Sequence, residues 1–421
     1  MLGLVLTAGG ARGAYQAGVL KRIGELVEER RLAYPFPIIA GSSAGAINGT
    51  MLAAGPTFAR AAGRLADLWC NIDVGKVFRT DPVALARTGA LLARDLSLGG
   101  AIGGGLTQAF FDTAPLRELL ASQLALDGIG AAIRRGDLYA LAISATSYHS
   151  GRAFTFVEGR PGHPVWTKSR RVCLPAKVTV EHVLASSSIP ILFPPVLVRS
   201  PGEGYFGDGG LRQVTPLSPA IRLGARRLFA IGVRCAAAAD ALSELELGQS
   251  QRWNSQRTTL ASPPLAQVCG VFLNAIFLDH LDADLDHLQR MNELVATYER
   301  DHHGRDPGPR QGLREPMRII EPFVLSPSED IALVARQFEN RMPAVIRYLL
   351  DGLGTPNSES ADLMSYLLFD AGFTRALVDI GYSDAERRIG AIEALLCSPE
   401  DPTKGGKRAA RAARRTKAAA T

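Results

Sequence analysis

Cysteine and histidine are both scarce in this sequence, and each shortage removes a class of chemistry. Its 421 residues include five cysteines (Cys70, Cys173, Cys235, Cys269 and Cys397), an odd number with no C-x-x-C pair. Neither a disulfide framework nor a thiolate zinc site is expected, and the five read as reduced, mostly buried thiols of a cytoplasmic protein. The seven histidines are His149, His163, His182, His280, His287, His302 and His303. None that follows Asp208 sits in an obvious strand-end loop of the kind that presents a catalytic imidazole, so surface or structural roles are expected for all of them. Long hydrophobic runs are missing too. No stretch reaches the roughly eighteen apolar residues of a spanning helix, so any meeting with a membrane is expected from its surface.

The opening Met1-Leu2-Gly3-Leu4-Val5-Leu6 is apolar, but no basic residue precedes it and glycine-rich sequence follows at once. It is expected to be a first buried strand rather than a signal peptide. With 47% hydrophobic residues, the chain has enough apolar material for a substantial core. Its charge is unevenly spread. The seven positives that follow Asp401 exceed the total of +6 by one, so the first 401 residues carry a net −1. The body is near neutral and the tail is basic.

Residues 2–7 form an apolar run that ends in Gly9-Gly10-Ala11-Arg12-Gly13, after which Ala14, Ala17, Val19, Leu20, Ile23 and Leu26 recur at helical spacing. The pattern repeats: Phe36 to Ala40 reads as a strand, Gly41-Ser42-Ser43-Ala44-Gly45 as a tight turn and Ala46 to Ala54 as a helix. Two strand–turn–helix units at the start predict an α/β fold with a mostly parallel sheet. Further strands are expected at Tyr139–Ala145, Ala153–Phe156, Arg227–Val233 and Met317–Leu325. Leu96–Leu106, dense in glycine, reads either as a flap or as a plain surface loop. In Leu278–Leu288, four leucines share one face, and the acids and histidines are expected on solvated faces rather than around a metal. From Ser328 the pattern is helical, with breaks expected near Gly352–Pro356 and at Gly381, and the tail is expected to be disordered.

The turn Gly41-x-Ser43-x-Gly45 lies between a strand and a helix, where a sharp bend holds a serine hydroxyl clear of the backbone. A serine there must have a base within hydrogen-bond reach and donors for the oxyanion it creates. Only one strand–helix unit precedes Ser43, which disfavours the usual α/β-hydrolase with its late histidine. The glycine turn at residues 9–13, at the positive end of a helix, favours an anion and taken alone could equally cradle a pyrophosphate. Ala8 in place of a first glycine, Arg12 inside the turn and the neighbouring serine turn argue for oxyanion donors instead. Gly207-Asp208-Gly209-Gly210 presents a carboxylate in close approach to other backbone. A partly desolvated carboxylate can serve a serine directly as base.

These segments are similar to those of the patatin-like phospholipases: Gly9–Gly13 resembles the oxyanion loop, Gly41–Gly45 the nucleophile elbow and Asp208-Gly209-Gly210 the catalytic aspartate motif. Phe111-Asp112-Thr113-Ala114-Pro115-Leu116, Ala185-Ser186-Ser187-Ser188-Ile189-Pro190 and Phe193-Pro194-Pro195 add to the likeness, which spans about residues 2–235. Ala8 departs from the all-glycine form of the loop but should leave the Gly10 and Ala11 amides available. The resemblance implies a three-layer α/β/α fold, a Ser43–Asp208 dyad, no cofactor or metal in catalysis, and hydrolysis of phospholipid or lysophospholipid esters. Transacylation by the same dyad and a non-catalytic lipid-binding scaffold are the alternatives. Arg12 would steady the loop or meet a lipid phosphate. Expected boundaries are a catalytic domain over 1–327, a helical region over 328–400 and a basic tail over 401–421. Residues 404–417 could meet an anionic leaflet, which would make the protein peripheral at the inner membrane surface; no specific nucleic acid partner is expected.

Overall fold

The computed structural model describes residues 1–79, 109–168, 170–212, 216–235, 281–301, 318–344, 346–347 and 363–397, with isolated positions at 90, 91 and 94. In chain order, the elements are β1 (Leu2–Leu6), α1 (Gly13–Glu29), β2 (Ile38–Ser42), α2 (Ala44–Ala54), α3 (Phe58–Cys70), α4 (Ala114–Gln123) and α5 (Asp127–Arg135). There follow β3 (Ala140–Ser147), β4 (Ala153–Gly159), β5 (Arg171–Pro175), α6 (Val180–Ser186), β6 (Val196–Val198), β7 (Gly204–Asp208), α7 (Ser218–Arg222) and β8 (Arg227–Ile231). The last are α8 (Leu281–Asp301), β9 (Glu321–Leu325), α9 (Ile331–Arg336), α10 (Ala371–Arg387) and α11 (Ile389–Cys397).

The fold is α/β with a mostly parallel central sheet. Its strand order is β5-β4-β3-β2-β1-β8-β9, and the run from β3 to β9 is parallel throughout. Side chains alternate across the sheet, so each central strand feeds two cores. Leu4, Leu6, Ile39, Leu141, Ile143, Phe229 and Ile231 join α1, α2, α3 and α10 on one face. Val5, Ile38, Ala40, Ala142, Leu228 and Ala230 pack with residues of α7 and α8 on the other. Helices therefore cover both faces, giving three layers. Each fully buried aliphatic or aromatic side chain contributes about 1.5–3 kcal/mol, so the central strands and α1 dominate the stability of the site's frame.

The six expected strands are present with shifted ends, and β5, β6 and β7 were not expected as strands. β2 begins at Ile38 and runs on to Ser42, because Gly41 and Ser42 remain in register with Leu6 and Ser144. β9 begins at Glu321 rather than near Met317: both backbone groups of Ile320 bond to the Asn292 side chain, at 3.0 and 2.7 Å. The expected break at Gly381 does not occur, since α10 runs unbroken from Ala371 to Arg387. That glycine is a contact rather than a terminator. A Cβ on Gly381 would run into the Tyr15 carbonyl, and one on Gly18 into the Val378 carbonyl, so the two glycines let α1 and α10 touch backbone to backbone.

In α8, Leu281 and Leu288 are buried as the spacing predicts, but Asp284 is also buried and accepts a hydrogen bond from the Leu217 amide at 2.9 Å. That acid holds α8 to α7 instead of facing solvent, and burial raises its pKa. Cys173 and Cys235 are buried and Cys397 is exposed. The glycine-rich stretch 96–106, His280, His302, His303, the expected break at 352–356 and the tail beyond 397 lie outside the described residues. Among the described residues, no helix is long and apolar enough to cross a membrane.

Candidate active site

β1 and β2 are parallel neighbours, so the turns that follow them open at the same edge of the sheet. Ser43 is the one residue between β2 and α2, and its backbone adopts φ 55° and ψ −126°. A side chain at positive φ costs on the order of 1–3 kcal/mol and persists only where the surroundings hold it. Here two serines of the segment after β5 do so. Ser186 Oγ accepts from the Ser43 amide at 3.0 Å, while Ser187 Oγ donates to the Ser43 carbonyl at 3.1 Å. Ser186 Oγ in turn donates to the Ser144 carbonyl at 2.6 Å, which ties the elbow to β3. The flanking glycines have a steric role: a Cβ on Gly45 would strike the Leu6 carbonyl, and one on Gly41 the Gly45 carbonyl.

Asp208 reaches the same spot along the β3 edge that β2 occupies, just past the end of β2. β7 runs antiparallel to β3 with Asp208 opposite Ala145, one residue beyond the Ser42–Ser144 pair. Its Oδ2 accepts a hydrogen bond from Ser43 Oγ at 2.6 Å, and its Oδ1 accepts from the Gly210 amide at 2.7 Å. Its backbone is fixed as well, with the Thr146 hydroxyl on its carbonyl at 2.8 Å and its amide on the Ser188 carbonyl at 2.8 Å. A Cβ on Gly209 would meet the Ser144 carbonyl, so only glycine fits behind the carboxylate. Burial pushes the Asp208 carboxyl up to about 6, against the opposing pull of its hydrogen bonds from Ser43 and Gly210.

Among the described residues, no histidine bonds to either group. His182 is buried in α6, where Nδ1 bonds to Thr179 at 3.1 Å and caps the helix, and burial lowers its pKa. Also among the described residues, no group of three His, Cys, Asp or Glu side chains converges as a metal site would require.

The turn after β1 winds Gly10–Arg12 into a single 3-10 turn that runs directly into α1. Gly10 has φ +53° and lines the cleft beside Ser43. Ala8 packs against Gly210, so the alanine is accommodated next to the aspartate loop. Arg12 turns away from the cleft and is 3% exposed. Its Nε donates to Ser365 Oγ at 2.7 Å, Nη1 reaches the Val233 carbonyl at 3.5 Å, and the guanidinium lies 4.3 Å over the Tyr366 ring. Of its two expected roles, this geometry is that of steadying the loop.

Ser43 lies in an apolar cleft of about 510 Å³, counted to its open mouth. Leu68 and Trp69 of α3, Leu116 and Leu120 of α4, Phe193 and Phe369 form much of its wall. The sequence pattern did not assign roles to Ser186, Ser187, Ser188 or Thr146, because their contribution is made through backbone groups of distant strands. Ser365, Tyr366 and Phe369 carried no motif signal at all.

A sheet covered by helices on both faces, with a serine elbow beside a glycine turn and above an apolar cleft, defines an α/β protein of the patatin class. The chain belongs to the patatin-like phospholipase family: that family's model matches residues 4–221. Human GIVD cytosolic phospholipase A2, solved with methyl gamma-linolenyl fluorophosphonate, is 15% identical with a TM-score of 0.39, covering 94% of this chain and 59% of that one. VipD from Legionella pneumophila is 13% identical with a TM-score of 0.29, covering 96% and 93%. The type III effector ExoU is 16% identical with a TM-score of 0.26, covering 93% and 79%. The chain thus spans 59% of the length of the first of these structures. No curated protein matches it in sequence.

Proposed function

We propose that the protein is a serine-dependent lipid acyl hydrolase that cleaves carboxylic esters of phospholipids or lysophospholipids, with Ser43 as nucleophile and Asp208 as base. The observation that carries this reading is the 2.6 Å hydrogen bond from Ser43 Oγ to a buried carboxylate whose pKa is raised to about 6. A base poised near working pH can both accept and return a proton, so one carboxylate performs the tasks of a histidine–aspartate pair.

In this reading Ser43 Oγ attacks the ester carbonyl carbon as its proton passes to Asp208 Oδ2. The first amides of a helical turn have no partner within that turn, which leaves those of Gly10 and Ala11 to receive the oxyanion. Collapse expels the lipid alcohol, which takes the proton back from Asp208 and leaves an acyl ester on Ser43. Asp208 then accepts a proton from water, whose oxygen attacks that ester. The carboxylic acid leaves and the serine recovers its proton. The apolar cleft suits the acyl chain, and the mouth leaves the head group in solvent.

Residues 1–327 would form the catalytic domain, 328–400 a helical region and 401–421 a basic extension. The residues at 404–417 would draw the protein to an anionic leaflet from the cytoplasmic side.

A panel of phospholipids, lysophospholipids and neutral glycerides, presented to wild type, Ser43→Ala and Asp208→Asn, tests the proposal. Turnover by wild type alone, with fluorophosphonate labelling that disappears in Ser43→Ala, is the expected result. Undiminished hydrolysis by Ser43→Ala would falsify it. Acyl transfer to an added alcohol in preference to water would reassign the same dyad to a transacylase.

A further inference from the structure

The family match ends at residue 221, yet a segment well beyond it touches both halves of the site. Ser365 and Tyr366 hold the Arg12 guanidinium, and the Tyr366 carbonyl lies so close to Gly10 that a Cβ there would collide with it. The turn is also backed by the Val233 side chain, which lies against Gly9. The Gly10–Arg12 turn is therefore held by two distant segments, and its third residue, Arg12, is itself a buried cation. A buried guanidinium must be paired, and its planar donors fix direction as well as position. With its side chain held at both ends, Arg12 anchors the backbone of the turn that precedes it.

The same segment continues into the cleft. Phe369 lines it and packs edge-on to Phe78 at 6.2 Å. Four residues into α10, the Thr374 hydroxyl donates to the Trp69 carbonyl at 2.7 Å. Trp69 Nε1 donates to Asn48 Oδ1 at 2.8 Å, and Asn48 Nδ2 donates to the Gly13 carbonyl at 3.0 Å. One short stretch thus braces the glycine turn directly through Arg12 and indirectly through Trp69.

We propose that residues 363–370 form a wall of the active site, with Arg12 as the positioning residue through which Ser365 and Tyr366 hold the Gly10 and Ala11 amides toward Ser43. This rests on the hydrolase reading above. The segment sets the direction of the oxyanion donors, and Phe369 sets the fit of the acyl chain.

The test measures kcat and KM on a soluble short-chain ester for wild type, Ser43→Ala, Arg12→Lys, Ser365→Ala and the Arg12→Lys/Ser365→Ala double variant, with thermal midpoints for each. Misaimed oxyanion donors lower kcat and leave ground-state binding alone, so each single variant is expected to lose roughly tenfold to a hundredfold in kcat with KM within about twofold. The double variant is expected to be no worse than the weaker single, because both changes break one contact. Ser365→Ala removes only a hydroxyl and decides the matter alone if Arg12→Lys fails to fold. Wild-type kcat in folded Ser365→Ala and Arg12→Lys, or a change confined to KM, overturns the proposal while an inactive Ser43→Ala leaves the hydrolase reading standing. Turnover by Ser43→Ala overturns both.

Discussion

Ser43 and Asp208 are 165 residues apart in the chain and 2.6 Å apart in space, and strand register brings them together. Ser42 pairs with Ser144 on one edge of β3, and Asp208 pairs with Ala145, the next residue along the same edge, because β4 takes up the opposite edge. Ser43 therefore follows the last β2–β3 pair and Asp208 sits within the β7–β3 pair beside it, each on or next to backbone that the sheet holds. A shift of one residue in either pairing would turn a side chain to the opposite face of the sheet.

The activity should depend on the ionisation of Asp208. With its pKa raised to about 6, the carboxylate accepts the serine proton above that value and is blocked by its own proton below it. The kcat/KM on a soluble ester is expected to rise with pH, with a midpoint near 6, and then to level off. Asp208→Asn should lower kcat by about 10²–10⁴-fold across the range. A flat profile between pH 4 and 8 would remove Asp208 from the role of base.

Stability should move the other way. The ordinary carboxyl value is 3.8 and the folded value about 6, so between these the folded chain binds more protons than the unfolded chain. Stability contributed by this group therefore falls as pH rises from about 4 through 6, by about 3 kcal/mol in total. Asp208→Asn keeps the shape without the charge and is expected to melt at a higher temperature than wild type at pH 8. Its advantage should shrink toward nothing at pH 3.5. Equal denaturant midpoints for the two proteins at pH 8 would show that ionising the buried carboxylate carries no such penalty.

The elbow should tolerate no side chain at Gly45. A methyl there meets the Leu6 carbonyl, at the end of the central strand β1, where pairing with β2 and β8 holds it. Gly45→Ala is expected to lose about 1–3 kcal/mol or more in urea denaturation and to lose labelling by a fluorophosphonate, as α2 is pushed off β1. Full labelling at wild-type rate would mean that the turn has slack the contacts do not reveal.

The basic tail should matter for surfaces and not for chemistry. Removal of residues 402–421 takes away seven positive charges and no acidic ones. Attraction to an anionic leaflet is about 1 kcal/mol per basic residue near it and is screened by salt. Truncated protein is expected to hydrolyse a soluble ester normally and to sediment poorly with anionic vesicles at low salt. Equal sedimentation would reject the tail as a membrane contact.

Much of the central sheet was legible because its signals are local. The strand–turn–helix units at the start, the serine turn and the glycine-flanked aspartate each announce themselves within a few residues. What stayed hidden depends on partners distant in sequence. Gly381 looks like a helix breaker in a linear reading, and only the approach of α1 through Gly18 shows why glycine stands there. Asp284 looks like one acid among several on a wet face until the Leu217 amide is seen above it. The serines at 186 and 187 belong to a recognisable motif, but their hold on the backbone of Ser43 is a product of packing. Ser365 and Tyr366 lie in a stretch with no motif at all.

The grip of Tyr366 on Gly10 has a consequence for the order in which the molecule acquires its competence. A ribosome that has passed Asp208 has already supplied the proposed nucleophile and base, but the carbonyl that presses on the glycine turn comes more than 150 codons later. Until then the nascent chain would lack that contact, and a transcript truncated before that point would encode a protein that contains Ser43 and Asp208 without the carbonyl that packs on the glycine turn.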